Sequence, residues 1–282
     1  MQGTSFDKIQ AKILAAIQEQ AVLPWCKPWN ADAMPTNIAT GAAYKGANPY
    51  LLNMQSGESL FLAFGQGVKA GAKLRAGSKA VYGIRYKPAT RYETTDKATG
   101  EKVERWQRAT FGTFNVFPAS SWESLGTLEG KFQAQSAAIE NRSADAIWEG
   151  YSMKPTLGHG NSAAYYAPMT DHIELPSLDS FDNEDSYHAT KFHEMGHSTG
   201  HKDRLDRELT PQNMGGDSYS QEELVAEITS AYLCSVAGIT HTQQNSVAYL
   251  QHWYSKLKTS GVGILIAAAS RADKAAHHIL GQ

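Results

Sequence analysis

The chain has 282 residues, enough for two ordinary domains, and its 41% hydrophobic and 19% charged content describes a soluble globular protein. Two cysteines, Cys26 and Cys234, stand too far apart for a metal-site spacing; they argue against a disulfide framework and fit a reducing, cytoplasmic compartment. The net charge of −2 conceals an asymmetry: residues 1–130 carry 15 Lys/Arg against 10 Asp/Glu, residues 131–282 carry 11 against 18, and all ten histidines lie at or after His159. Opposite charge and unequal histidine use indicate two domains with different work.

At the N-terminus Ile9, Ile13, Leu14 and Ile17 form an amphipathic stripe broken by Lys8, Lys12 and Glu19, which is not a signal peptide. Trp25-Cys26-Lys27-Pro28-Trp29 and the stretch from Thr40 to Asn48 follow as turn-rich segments with aromatic anchors. Such tryptophans are more often core staples than base platforms. From Ser59 to Tyr92 there are seven basic residues and no acidic one, interleaved with Phe61, Phe64, Tyr82, Tyr86 and Tyr92. A short helix ending at Gly71 and strands near Ala80–Tyr86 and Thr110–Phe117 are expected here. Cations that track phosphates, alternating with rings on which bases stack, are what sequence-tolerant single-strand binding requires. Lys69, Lys73, Arg75, Lys79, Arg85 and Lys87 are therefore the candidate DNA contacts. The competing reading is a solvated basic face whose aromatics belong to the core.

Between Ala119 and Pro155 polar and small residues dominate, with one short helix expected around Leu128–Ile139. This marks a linker region at 131–155, between an N-terminal domain at 1–130 and a C-terminal domain at 156–282. The longest apolar run, Gly261 to Ala269, is too short to span a bilayer.

In the second half, residues 171–175 alternate as a strand closed by Pro176. Asp182, with Asp185 three residues on, is a start signal for a helix over about 183–199, and Gly200 supplies its stop. Inside that helix stands His193-Glu194-Met195-Gly196-His197. Residues four apart share one helix face, so both imidazoles can reach one cation, while Glu194 is spaced to act as a general base on water beside it. Two ligands are too few for a catalytic zinc site. The third is expected in a helix over Ser220–Cys234 ending near Gly238, where Glu223 and Glu227 share a face one turn apart. One would ligate and the other orient a ligand histidine. Ser220-x-x-Glu223 also reads as a capping box, but a buried carboxylate pair is costly without a cation, which favours the metal role. Asp203 is a rival third ligand by its spacing from His197 and Gly200, with Met214 downstream. His201 continues the i, i+4 stripe past the expected helix end and ranks behind both.

Several blocks taken together carry a family resemblance. In the second half they are Asp171-His-Ile-Glu-Leu-Pro176, the H-E-x-x-H block with Ser198-Thr-Gly-His201, Arg204-Leu205-x-Arg207, Tyr219 to Glu227, the segment of Tyr249, Trp253 and Leu257-Lys258, and an Ala-rich last helix. In the first half they are Trp25-x-Lys27-Pro28-Trp29, Asn37-x-x-Thr40-Gly41, Tyr44-x-Gly46-x-Asn48, Gly71-Ala72-x-x-Arg75-x-Gly77 and Phe114 to Phe117. In this order they resemble ArdC-type plasmid antirestriction proteins, whose N-terminal domain is shared with certain plasmid primases. The sequence departs from the family at Leu60 to Gln66, where a Trp and a Thr-rich lead are usual.

The resemblance implies an α+β fold of two domains, an N-terminal single-stranded-DNA-binding domain and a C-terminal zincin-like metallopeptidase domain. It implies His193, His197 and Glu223 as metal ligands and Glu194 as base, with zinc as cofactor or another divalent ion such as Mn2+ in its place. Expected partners are single-stranded DNA and a host protein or peptide substrate, with no membrane. The implied effect is protection of incoming plasmid DNA from host restriction. Alternatives are a DNA-shielding protein whose metal is structural or vestigial, and a DNA-tethered protease acting on DNA-bound proteins.

Overall fold

The computed structural model describes residues 5–20, 23–26, 34–95, 100–137, 142–207, 217–239 and 247–282. Ile9, Ile13 and Ile17 form the buried face of helix α1 (Ser5–Gln20). After a 3-10 turn at Pro24–Cys26 come strand β1 (Thr36–Asn37) and helix α2 (Asn48–Ser56). Proline in the first turn starts α2, and left-handed Gly57 (φ 71°) stops it. Strand β2 (Leu60–Leu62), helix α3 (Phe64–Lys69) and strand β3 (Lys73–Leu74) lead to β4 (Val81–Lys87). Strands β5 (Thr90–Thr95), β6 (Lys102–Gln107), β7 (Thr110–Pro118) and β8 (Trp122–Ser124) and helix α4 (Glu129–Ala137) follow.

One sheet has the order β1-β2-β7-β4, parallel between β1 and β2 and antiparallel elsewhere. Beyond it, β5 pairs with β6 in the register that β4 and β7 already keep. Lys87 opposes Thr110, and Thr90 opposes Gln107. The four strands are thus two sides of one long ribbon, from the pair Val81–Val116 out to Thr95–Lys102. Pairing lapses at Pro88-Ala89, where proline has no N–H to donate.

Helix α5 (Ala144–Gly150) opens the second half, with Ser143 capping it by accepting the backbone N–H of Ala146. Strands β9 (Thr156–His159), β10 (Tyr165–Ala167) and β11 (His172–Leu175) form a small sheet in the order β10-β11-β9. Helices α6 (Glu184–Ser198), α7 (Asp217–Val236), α8 (Val247–Ser260) and α9 (Gly263–Leu280) complete the chain. No helix among the described residues is long and apolar enough to cross a membrane. The architecture is α+β, as expected.

Packing does not follow the charge boundary. One large core joins Ile9, Ile13, Trp25 and Tyr50 to Phe192, Leu224, Trp253 and Leu265. Trp25 meets Trp253 edge to face, with centroids 5.7 Å apart. Two small clusters, around Leu62 and Trp122 and around Phe61 and Val116, belong to the first half alone. Within the stretch expected as a linker region, Ala144, Ile147 and Tyr151 are buried in the shared core. Helix α6 is capped by Asn183, which accepts from the Ser186 N–H, rather than by Asp182. Helix α7 begins at Asp217, so Ser220 lies inside it and not at its cap. That displaces the capping-box reading of Glu223. Met214 and Lys27 to Trp29 lie outside the described residues.

Candidate metal centre

Helices α6 and α7 lie close enough that a glycine is required between them. A Cβ on Gly196 would come 2.9 Å from Cα of Ala226, inside any ordinary contact. This approach sets the third candidate ligand opposite the first two. Nε2 of His193 and Nε2 of His197 are 3.1 Å apart, and carboxylate oxygens of Glu223 lie 3.5 Å and 3.4 Å from them. The three are the cluster among the described residues whose donor atoms all fall within 4.8 Å of one another. Tetrahedral bonds of about 2.0–2.1 Å put ligand atoms about 3.3–3.4 Å apart. The separation of the two imidazoles and the distance from each to its nearer Glu223 oxygen are close to that size, so the donor set fits a single small divalent cation.

The charges around the triangle make the same demand. Burial alone would lower the His197 imidazole, yet Glu222 and Glu223 together raise it to about 10. Burial alone would raise the Glu223 carboxyl, yet His193 and His197 hold it well below the usual carboxylate range. The field at this point favours a positive charge, which a proton or a metal ion can supply.

Glu194 is 7% exposed, and burial pushes its carboxyl up despite the neighbouring imidazoles. The backbone N–H of Tyr166, on β10, works against that rise. A cage of bonds holds that strand. Arg204 donates to Asp171 and Tyr166 and to the backbone oxygens of Ser198 and Met153, and Tyr166 itself donates to Asp171 at 2.8 Å. Asp171 takes a left-handed backbone there (φ 49°), which Asp tolerates better than most residues.

The remaining sequence candidates divide. Glu227 is buried one turn beyond Glu223 and accepts from Trp25 Nε1 at 2.9 Å and from the Tyr249 hydroxyl. His197 Nδ1 faces Glu222 instead, at 3.6 Å. Glu222 is in turn gripped by Arg207, whose Nη2 and Nε donate at 2.6 Å and 3.0 Å. Asp203 does not converge on the histidines; its side chain is 69% exposed and pairs with His201. Sequence reasoning therefore missed Glu222, Arg204 and Arg207. The one available signal was Arg204-Leu205-x-Arg207 so soon after the helix, two cations beside a site built from carboxylates.

Among the basic candidates, Lys69, Lys73, Arg75, Lys79, Arg85 and Lys87 are all exposed, but they are not one patch of equals. Lys73 pairs with Glu123 at 2.5 Å, and Arg75 donates to the backbone oxygen of Ser120. The aromatics also split: Phe61 is core, while Phe64, Tyr86 and Tyr92 are exposed.

Comparison with known proteins places the architecture. A family model for the N-terminal domain of anti-restriction factor ArdC matches residues 5–117, and one for a zincin-like metallopeptidase matches residues 142–270. The crystal structure of the antirestriction protein ArdC from plasmid R388, metal-free, superposes with a TM-score of 0.71 at 27% identity, covering 97% of this chain and 96% of that one. The chain has the two-domain architecture of ArdC-type antirestriction proteins. The Mn(II)-bound structure of the R388 protein is similar at a TM-score of 0.70 and 26% identity, over 98% of this chain and 97% of that one. A DNA primase TraC of Escherichia coli is 35% identical over 277 residues, or 91% of this chain. The ArdC-type chain spans only 25% of that primase's length.

Proposed function

We propose that this ArdC-type chain is an antirestriction protein that works in the cytoplasm, with two activities. The basic first half, nominally residues 1–130, holds single-stranded DNA without sequence preference. The second half, nominally 156–282, carries a metal-dependent peptidase site, and the protein shields incoming plasmid DNA from host restriction. The observation that carries the enzymatic part is the triangle of His193, His197 and Glu223 beside the buried Glu194. The Mn(II)-bound relative supports a divalent ion. Two imidazoles and one carboxylate suit zinc, and Mn2+ can occupy the same donors.

A divalent cation held by those three residues would polarise a substrate carbonyl and lower the pKa of water. Glu194 then accepts the water proton on its carboxylate and returns it to the leaving amine. Glu222, fixed by Arg207, keeps the His197 ring turned toward Glu223. The backbone N–H of Tyr166 favours the charged form of the Glu194 carboxyl, as the base requires.

Metal content and protection in a conjugation assay test this reading. Glu223→Ala should lose the metal and Asp203→Ala should keep it; the reverse result would make Asp203 the third ligand. Glu194→Gln should keep the metal and lose proteolysis. Protection that survives Glu194→Gln unchanged would instead favour shielding by DNA coating with a structural metal. Cleavage stimulated by single strands would favour a DNA-tethered protease.

A further inference from the structure

The long ribbon carries features that neither the metal centre nor the core explains. Its outer part, from Arg85 to Thr95 with Lys102 to Gly112, projects past the sheet; β5 and β6 pair with no other strand among the described residues. At about 3.3 Å per residue this outer part is about 35 Å long. Two-stranded ribbons with no covering layer are poor places for large aromatics, yet four stand here in the open. Trp106 is 63% exposed, Phe111 68%, Tyr86 55% and Tyr92 48%. Burial of such rings is worth about 2–3 kcal/mol each, so leaving four exposed needs a ligand to cover them.

Their arrangement says which ligand. Tyr86 opposes Phe111 across the ribbon with centroids 4.8 Å apart, and Arg91 opposes Trp106 with its guanidinium 4.5 Å above the indole. Side chains alternate along a strand, so Arg91 and Trp106 share one face of the ribbon with Arg85, Lys87 and Arg108, and Tyr86 and Phe111 lie on the other. Glu93 and Glu104, the acidic residues of the paired strands, lie toward the tip, where Lys102 and Arg91 offset them at 3.5 Å and 3.6 Å. Nearer the base, Arg85, Lys87 and Arg108 make no ion pair among the described residues. A flat ring among unneutralised cations on one face of a narrow ribbon, with a ring pair on the other, matches a chain of bases on phosphates, not an apolar peptide or a lipid surface.

We infer that this β-arm is the principal grip on single-stranded nucleic acid, with bases stacking on Trp106 and phosphates meeting Arg85, Lys87 and Arg108 on one face, and the strand passing round the narrow ribbon to stack on Phe111 and Tyr86 on the other. The inference rests on the single-strand reading above, but it moves the main contact away from Lys69, Lys73, Arg75 and Lys79 on and after α3. The base of the arm is tied to the shared core: Lys12 of α1 donates to the Ala80 backbone oxygen at 2.7 Å, and Asn48 of α2 bonds both the N–H and the oxygen of Ile84. A strand held by the arm is thereby anchored to the same body as the metal centre.

The test is fluorescence anisotropy with the full chain and a labelled oligothymidine of about 16 nucleotides, a length at the upper end of a single-fold site. Trp106→Ala and Phe111→Ala should each weaken binding by about 5- to 100-fold. Replacing Arg85, Lys87 and Arg108 by Ala should flatten the salt dependence by about two units of slope. Lys69→Ala with Lys79→Ala should do far less than the arm variants. All these positions are exposed, and unchanged thermal unfolding checks that the fold is intact. Tight wild-type binding that the arm variants leave unaltered overturns the arm while the single-strand reading stands. No wild-type binding at any low salt concentration overturns both. A wild-type dimer that Trp106→Ala converts to monomer, with DNA binding unaffected, makes the arm a self-association surface and overturns the proposal.

Discussion

Arg207→Ala is the sharpest probe of how the metal centre is held together. The guanidinium is 9% exposed and makes four bonds: two to Glu222, one to the Thr199 hydroxyl at 2.7 Å and one to the Gly196 backbone oxygen at 2.9 Å. Its removal leaves the Glu222 carboxylate, itself 15% exposed, with His197 as its one charged neighbour among the described residues. Breaking one side of a buried pair costs about 3–5 kcal/mol, and the two bonds to neutral oxygens do not add in full because one group makes them all. A loss of about 3–5 kcal/mol is a large part of a typical stability and corresponds to roughly 10 °C in Tm for a chain of this size. Because Glu222 faces His197, metal affinity should also fall about 10- to 100-fold. Urea unfolding of the metal-free protein measures the first effect and competition with a chelating dye the second. The double variant Arg207→Met with Glu222→Leu should recover most of the stability, since it leaves no buried charge unpaired, but not the affinity. A loss under about 1 kcal/mol with unchanged metal affinity would refute the reasoning.

Two further outcomes follow from the packing around the same site. Gly196→Ala pushes a methyl against the α7 backbone at Ala226 and should cost about 1–3 kcal/mol, read by urea unfolding of the metal-free chain; unchanged stability would mean the helices can separate freely. Burial alone would raise the Asp171 carboxyl, but bonds from Arg204 and Tyr166 lower it below its ordinary value. A depressed carboxyl adds stability above its unfolded pKa of about 3.9, and that stability is lost as pH falls through the folded value. Asn tolerates the left-handed backbone, so Asp171→Asn removes the charge with little strain. The variant should be less stable at neutral pH and show a shallower acid limb below about pH 4; an acid limb identical to wild type would count against the linkage.

The candidate site was legible to different depths. The two histidines and Glu194 follow from a five-residue motif because helix periodicity alone puts residues four apart on one face. Glu223 could be ranked first because a second helix with carboxylates one turn apart needs a cation to be stable in a protein interior. The choice between Glu222 and Glu227 as the carboxylate facing His197 could not be read in advance. It depends on the rotation of α7 against α6, which is set where Gly196 meets Ala226 and by no local propensity. Asn183 rather than Asp182 as the α6 cap is a matter of one residue of backbone geometry. Among the aromatics, composition could not separate Phe61, which is core, from Trp106 and Phe111, which are exposed.

By itself the sequence determined the elements with strong periodicity, the histidine motif of the candidate metal site, and the sign of charge on each half. All of these depend on neighbours within a few turns or on composition, and need no knowledge of what packs on what. The tertiary structure alone decided that α1, Trp25 and α2 of the basic half complete the core beneath the metal centre. It also decided that strands separated by fewer than thirty residues join into one ribbon in a single register. Both depend on contacts between distant positions, which the chain makes only once it has folded and which no local pattern records.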